Sequence, residues 1–322
     1  MGRLPGRAGG PVKAVVTTAT GAPDVLRLTA TERPAPLPTE VLVKVAAAGV
    51  NPVDWKIRAG VFPPGALGTP PFVQGWDVAG VVESGPRVTR FQPGDEVFGL
   101  IGFPRPGGAY AEYVTAPARQ FARKPGGLSF EEAAALPLAG LTAWQTLVET
   151  AHIKAGDRVL VTAAAGGVGH LAAQIARAHD AEVTGTARAA KHGFLRETGV
   201  EYPVDYTTGP LHHRVTGQDV VLDLLGGDHS FELARTLRPG GLLITVIGHV
   251  SPELATHAAS LGVRVTGFLV EPDHAGLEEL ARLVTAGRLK VHVDQVFPLA
   301  DAAKAHEYGE TGRTTGKIVL VP

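Results

Sequence analysis

Short apolar stretches broken by glycine and proline dominate the first third of the chain. The alternation of apolar and polar positions predicts strands at residues 12–17, 40–48 and 78–84. Few helical patterns occur before Phe130. The pattern therefore predicts a mostly antiparallel, barrel-like β domain at the start of the chain.

Strands and helices begin to alternate near Ser129. Ser129 followed three residues later by Glu132 forms a capping-box sequence, which predicts the start of a helix. Beyond it the pattern predicts strands at residues 158–163, 182–187, 219–224, 242–247 and 263–270, and helices over 141–150 and 169–178. This alternation is typical of the α/β class with a doubly wound parallel sheet.

The end of the chain again shows the strand pattern seen in its first third. Strands are predicted at residues 293–297 and 317–321, after an amphipathic helix over 276–285. We therefore expect a discontinuous β domain made of residues 11–130 and 271–322, and a parallel-sheet domain made of residues 131–270. Residues 1–10 lack an apolar core of signal-peptide length and are interpreted as a disordered leader.

Composition narrows the classes of function. The chain has 30 Lys and Arg against 31 Asp and Glu, so its charge gives no reason to expect nucleic acid or an anionic membrane as partner. No apolar run approaches the length of a membrane span, and we expect a soluble, cytoplasmic protein. The absence of cysteine excludes disulfides, thiolate nucleophiles and sulfur ligands for a metal.

A loop of small residues follows the predicted strand at 158–163. It reads Ala163-Ala-Ala-Gly-Gly-Val-Gly169 and runs straight into a predicted helix, whose first N–H groups can hold a pyrophosphate. Ala163 replaces the first glycine of the usual fingerprint, and Gly169 allows the helix to pack closely on the strand. The sequence predicts a dinucleotide site that includes Ala165, Gly166, Gly167, Val168 and Gly169.

The residues about 20 positions past this loop indicate which dinucleotide is bound. NAD enzymes carry an Asp or Glu there to bind the ribose 2′-hydroxyl. Here Arg188 and Lys191 are present and no acid stands between them. Because two cations suit a 2′-phosphate, NADPH is the predicted cofactor, and a solvated charged turn is the alternative interpretation.

Seven motifs occur in a fixed order along the chain, at residues 51–60, 75–82, 93–98, 108–113, 141–144, 163–169 and 316–320. The ordered set resembles the medium-chain dehydrogenase/reductase superfamily, and within it the zinc-free quinone oxidoreductase branch. The resemblance extends over nearly the whole chain and implies a GroES-like domain together with a Rossmann domain.

The residues at the position of the family's catalytic metal argue against zinc. Zinc-dependent relatives use Cys, His and an acid there, whereas this chain has no Cys and all 12 of its His residues lie at or beyond His152. Gly75-Trp76-Asp77 stands where those relatives have Gly-His-Glu. We therefore expect no metal site.

Without a Lewis acid, alcohol oxidation is disfavoured. The expected reaction is hydride transfer from NADPH to a quinone or to the activated double bond of an α,β-unsaturated carbonyl compound. An enoyl-thioester or enone reductase in a biosynthetic pathway is the alternative, and an NADPH-binding structural or regulatory protein is a second alternative.

The resemblance also implies roles for individual residues. Asn51 would lie beside nicotinamide and substrate, although an ordinary turn before Pro52 explains it equally well. Thr142 would approach the cofactor, Asp223 would lie near the adenosine, and the ribose and nicotinamide would be walled by Ile247, Phe268, Leu269 and Val270.

Three further expectations concern Asp54, two tyrosines and the assembly of the protein. Asp54 is interpreted as the cap of a helix that begins at Trp55, and Tyr110 and Tyr113 as packing residues, so no proton donor is identified. The apolar strand at 263–270 would lie at the edge of its sheet, and exposed edges invite pairing. A homodimer is therefore expected.

Overall fold

A computed structural model describes residues 10–62, 69–85, 90–246 and 249–322. The expected leader, apart from Gly10, and the predicted site residue Ile247 lie outside the described residues. The strands are β1 (Val12–Thr17), β2 (Leu26–Thr31), β3 (Glu40–Val50), β4 (Phe72–Val73), β5 (Asp77–Ser84), β6 (Glu96–Leu100), β7 (Tyr113–Pro117), β8 (Phe121–Arg123), β9 (Arg158–Val161), β10 (Glu182–Thr186), β11 (Tyr202–Val204), β12 (Gln218–Asp223), β13 (Leu237–Thr245), β14 (Arg264–Gly267), β15 (Val293–Pro298) and β16 (Lys317–Val321). The helices are α1 (Pro52–Arg58), α2 (Phe130–Ala134), α3 (Pro137–Trp144), α4 (Gly167–Ala178), α5 (His192–Glu197), α6 (His229–Ala234), α7 (Pro252–Ser260), α8 (His274–Thr285) and α9 (Ala302–Glu310).

The chain forms two compact units. The first contains the residues up to Leu138 together with Pro272–Arg282 and Val291–Pro322, and the second contains Ala139–Glu271 and Leu283–Lys290. The sequence analysis placed the first boundary after residue 130. The structure places it after Leu138 because α2 packs on β3 and β5, and because the Leu138 N–H donates to Asp77 in β5.

The first unit is built from two sheets. Its larger sheet has the order β15-β16-β3-β5-β6-β8, with β7 also paired to β3, and its smaller sheet has the order β2-β1-β4. All of these pairs are antiparallel except β15 with β16. Buried valines of β3, β5 and β6 pack with Phe121 and Leu320 in the core. This architecture is the mostly antiparallel, GroES-like domain that the sequence predicted.

The second unit contains one parallel sheet of six strands in the order β11-β10-β9-β12-β13-β14. The chain runs outward from β9 to β11, then returns to β12 and runs outward to β14 on the other side. The order therefore reverses between β9 and β12, which is the topological switch point of a doubly wound sheet. The predicted Rossmann fold is confirmed.

Two local features refine the predicted helices. Ser129 and Glu132 form the capping box at α2 that the sequence indicated, with the Glu132 N–H donating to Ser129 Oγ at 3.1 Å. The predicted helix at 141–150 is instead α3 continued by a π-helical segment, Gln145–Thr150. No helix within the described part of the chain is long and apolar enough to span a membrane.

Candidate active site

The loop after β9 is shaped by close backbone approach. The Gly166 N–H donates to the Ala163 carbonyl at 2.8 Å, and Ala163 has a φ of 45°, a conformation that usually favours glycine. A Cβ on Gly169 would lie only 2.4 Å from the Ala163 oxygen and 2.6 Å from the Ala164 Cα. Glycine is therefore required at 169 for α4 to pack against the loop.

The beginning of α4 can receive an anion. Gly166 is its N-cap and supplies no side chain to bond the first-turn N–H groups. The N–H groups of Gly167, Val168 and Gly169 have no partner inside the helix, as at every helix start, and the helix dipole favours negative charge there. This loop also follows β9 at the switch point of the sheet, where dinucleotides bind in this fold. The residues present thus fit a pyrophosphate.

The turn after β10 carries the two predicted cations. Arg188 is exposed and its Nε donates to the Tyr206 hydroxyl at 3.1 Å, while the Lys191 N–H donates to the Arg188 carbonyl at 2.9 Å. One acid near this turn is not evident from the sequence, because it comes from the end of the neighbouring strand. Asp205 follows β11, and its Oδ2 accepts a bond from the Ala189 N–H at 3.0 Å.

The carboxylate of Asp223 organises its own turn. Its Oδ1 accepts bonds from the Leu225 and Gly226 N–H groups at 3.0 and 2.9 Å, and its Oδ2 accepts one from Ser230 Oγ at 2.6 Å. These bonds hold the start of α6 against the end of β12. The position of Asp223 at the carboxyl end of β12 is consistent with the predicted place near an adenosine. Both of its carboxylate oxygens, however, already accept hydrogen bonds.

The segment that follows β14 is tied to α3 and its π-helical continuation. The Gln145 amide exchanges two bonds of 3.0 Å with the backbone of Glu271, and the Phe268 N–H donates to the Thr245 carbonyl at 2.9 Å. Val270 is buried, whereas Leu269 is 55% exposed. Thr142 is buried on α3, and α3 continues into the π-helical segment in which Gln145 bonds Glu271.

The first unit buries a polar cluster around Asn51. The side chain of Asn51 is 1% exposed, and its Nδ2 donates to Asp77 Oδ2 at 2.9 Å. Its Oδ1 accepts a short bond from the Lys317 ammonium, which also donates to the Val50 carbonyl at 3.1 Å. Lys317 Nζ lies 3.4 Å from Asp77 Oδ2, so an amide, an acid and a base form one buried network.

A second arm of this cluster runs through α1. Asp54 lies in the first turn of α1 and accepts a bond from the Asn51 N–H at 2.6 Å, so it acts as a cap, although the helix starts at Pro52 and not at Trp55. The Tyr110 hydroxyl interacts with the Asp54 carboxyl and lies 3.4 Å from His306 Nε2. Tyr110 is thus buried as predicted, but it is also hydrogen-bonded.

Burial strongly shifts the pKa values of Asp54 and His306 in this second arm. Desolvation raises the pKa of Asp54 from 3.8 to about 7, assisted by the nearby Asp77 charge and opposed by the bond from Asn51. Desolvation also lowers the pKa of His306 from 6.5 to about 3, with a smaller contribution from Arg58. Asp54 therefore titrates near neutral pH, where protonated and ionised forms coexist, and His306 is uncharged there.

Burial also opposes charge on the acid and the base beside Asn51. It raises the pKa of Asp77 and lowers that of Lys317, and the attraction between the two groups works against both shifts. Because they lie 3.4 Å apart, each stabilises the charged form of the other.

Sequence reasoning missed Asp77, Lys317 and His306 as members of one cluster. In the sequence Asp77 and Lys317 stand out only as parts of motifs. The signal that could have identified them is a charged residue at the end of an apolar strand. His306 lies far along the chain from the N-terminal segment, which contains no histidine. The C-terminal helix α9 returns a histidine to that same unit. Within the described residues no group of three or more His, Asp or Glu side chains is placed to hold a metal ion.

Two family models match the chain. The model described as alcohol dehydrogenase GroES-like domain matches residues 37–126, and the one described as zinc-binding dehydrogenase matches residues 198–320. The 2-methylene-furan-3-one reductase of Solanum lycopersicum is 36% identical over 97% of this chain and 79% of the relative.

Solved structures with the same fold are equally similar. The quinone oxidoreductase of Coxiella burnetii has a TM-score of 0.91 and 36% identity, covering 97% of this chain and 99% of the other. A mycobacterial protein solved in complex with NADPH has a TM-score of 0.84 and 34% identity, covering 97% of this chain and 100% of the other.

Proposed function

The chain belongs to the zinc-free quinone oxidoreductase branch of the medium-chain dehydrogenase/reductase superfamily, and we propose that it transfers hydride from NADPH to a quinone or an α,β-unsaturated carbonyl compound. The observation that carries the proposal is the small-residue loop at the switch point of the parallel sheet, with Gly169 closing the backbone onto Ala163. A dinucleotide pyrophosphate is the ligand that such a loop accepts.

A nicotinamide cofactor follows from this family and fold, and the choice of NADPH is the finer part of the proposal. When bound, NADPH would supply the hydride. Arg188 and Lys191 would pair with its 2′-phosphate, because no acid ends β10. The similar mycobacterial structure that holds NADPH supports this choice. The remaining cofactor contacts would come from Thr142, Asp223, Ile247 and Phe268–Val270.

Asn51 is the residue we place beside the reacting atoms. Hydride addition to a quinone or enone places negative charge on a carbonyl oxygen, and an amide N–H is a suitable donor to that oxygen. The oxygen or the α-carbon then takes a proton, so that two electrons and two hydrogen nuclei are added in all. No described side chain is assigned as the donor of that proton, and water would supply it.

Both forms of the reaction have support among the similar proteins, since the Coxiella burnetii structure is a quinone oxidoreductase. The tomato relative named above is a reductase of a 2-methylene-furan-3-one, which is an activated alkene. A panel of simple quinones, enals, enones and enoyl thioesters, followed by NADPH absorbance, separates the two enzymatic alternatives. Absence of turnover with every acceptor, in protein that binds NADPH, would instead support a structural or regulatory role.

We also propose that the protein forms a homodimer. β14 pairs only with β13 among the described strands, so its other edge carries unpaired backbone groups. A second copy placed edge to edge would satisfy them. Light scattering at micromolar concentration should give twice the chain mass of 33.4 kDa, and a monomer would contradict this proposal.

A further inference from the structure

The Asn51 amide lies between a carboxylate and an ammonium, and nothing about an ordinary turn requires this. We propose that Asp77 and Lys317 are positioning residues that hold the amide in one orientation, with one Nδ2 hydrogen presented to the substrate oxygen. The inference rests on the proposed function, because it takes Asn51 as the residue beside the reacting atoms.

The three side chains meet because three neighbouring strands reach the same edge of a sheet. β16, β3 and β5 are consecutive, with Ile318 opposite Val50 and Asp77 opposite Gly49. A Cβ on Gly49 would lie 2.9 Å from the Asp77 Cβ and 2.4 Å from the Ala134 carbonyl. The strands therefore approach closely enough for the side chains to bond only because residue 49 is glycine.

All three hydrogens of the base and both oxygens of the acid are engaged in hydrogen bonds. The three ammonium hydrogens of Lys317 face three acceptors, namely the Val50 carbonyl, Asn51 Oδ1 and Asp77 Oδ2. Asp77 Oδ1 accepts a 2.7 Å bond from the Leu138 N–H, and its Oδ2 faces Asn51 and Lys317. Neither charged group has a reason to turn away from the amide.

This arrangement distinguishes the two ends of the amide. An ammonium can only donate, so it requires the amide oxygen, and a carboxylate can only accept, so it requires the amide nitrogen. A flipped amide would face N–H to ammonium and oxygen to carboxylate. Nδ2 has two hydrogens and Asp77 takes one, and within the described residues the other has no acceptor. That second hydrogen is the one assigned to the substrate oxygen.

The consequence for the reaction is a preorganised donor. Negative charge develops on the substrate oxygen as hydride arrives, and a donor already aimed at that oxygen need not reorganise. A side chain that must search for its orientation, or that turns its oxygen to the site, loses this effect. Asp77 and Lys317 would therefore influence turnover through Asn51 without touching the substrate.

A double-mutant cycle separates positioning from a general structural role. Lys317→Met and Asp77→Asn are each made in the wild type and in Asn51→Ala, with turnover and NADPH affinity measured. We expect each to lower kcat roughly 10- to 100-fold in the wild type, with NADPH affinity within about twofold. In the Asn51→Ala background each should cost little further. Lys124→Met is the matched control, because Lys124 is a largely buried lysine of the same unit that pairs with Glu96 instead.

A readout independent of turnover is the side-chain amide of Asn51 in a TROSY spectrum, assigned by its loss in Asn51→Ala. The wild type should show two resolved, slowly exchanging hydrogens, and Lys317→Met should broaden them or speed their exchange. If Lys317→Met does not fold, Asp77→Asn carries the same test. Equal kcat losses in both backgrounds, or an unchanged amide signal, would overturn the inference. A wild type without turnover would overturn the proposed function, while the spectra still decide whether the amide is held.

Discussion

Replacing Asp54 by asparagine measures the effect of burying this acid. The folded carboxyl has a pKa of about 7 against 3.8 for the ordinary group, because it is desolvated. Between those values the unfolded chain has released its proton and the folded protein has not, so Asp54 makes the protein less stable as pH rises. This loss of unfolding free energy is absent below the ordinary pKa of 3.8 and complete above the folded pKa of about 7. It amounts to about 4 kcal/mol.

Asparagine keeps the shape of the side chain, and its Oδ1 can still accept the bond from the Asn51 N–H. We therefore expect Asp54→Asn to exceed the wild type in unfolding free energy by an amount that grows to about 4 kcal/mol between about pH 4 and pH 8. Subtracting the two curves removes the groups that both proteins share. The assay is denaturant unfolding followed by circular dichroism across this range.

The control is Asp24→Asn, which changes an exposed carboxyl of the same unit and should give a difference that varies little with pH. If the difference between Asp54→Asn and the wild type stays constant or falls as pH rises, the argument from burial is refuted.

Four further outcomes are expected. In kcat/KM measurements the wild type should prefer NADPH over NADH by roughly 30- to 1000-fold. Arg188→Ala with Lys191→Ala should remove most of that preference by weakening the binding of NADPH alone. If the preference survives, the two residues belong only to a solvated turn. Gly169→Ala should abolish NADPH binding in fluorescence titrations, because the new Cβ would meet the Ala163 oxygen. Ala163→Gly should bind NADPH normally and unfold at a temperature no lower than the wild type, because glycine accepts the positive φ at this position. Because His306 resists protonation until about pH 3, its contribution to stability should fall by up to about 5 kcal/mol as pH drops from 6.5, and the difference in unfolding free energy between the wild type and His306→Gln should fall over that interval in the same unfolding assay. Elemental analysis should find no stoichiometric zinc, and a chelator should leave turnover unchanged; one tightly bound zinc with chelator-sensitive turnover would overturn the zinc-free interpretation.

Local signals made much of the fold predictable. The capping box at Ser129 and the loop ending at Gly169 depend on residues within a few positions of each other, so the sequence displays them directly. The alternating strands of both units follow from side-chain periodicity in the same way. The continuation of α3 as a π-helix was not predictable from this periodicity.

The polar cluster could not be predicted because its members are far apart in the chain. Lys317 bonds Asn51 across 266 positions, and Tyr110 meets His306 across 196. Only the strand order that places β16 beside β3 brings Lys317 to Asn51. Asp205 was missed for a similar reason, since it reaches the Arg188 turn from the end of an adjacent parallel strand.

Tracing the hydride with NADPH deuterated at C4 of the nicotinamide ring tests whether the protein transfers hydride directly to its substrate. An enone that turns over is incubated with the labelled cofactor, and the product is analysed by mass spectrometry and NMR. Direct transfer predicts one deuterium at the β-carbon of each product molecule when the transferred hydrogen is the labelled one, and none when the opposite face is labelled. A reduced product without deuterium at the β-carbon from either labelled form would contradict hydride transfer to the activated double bond.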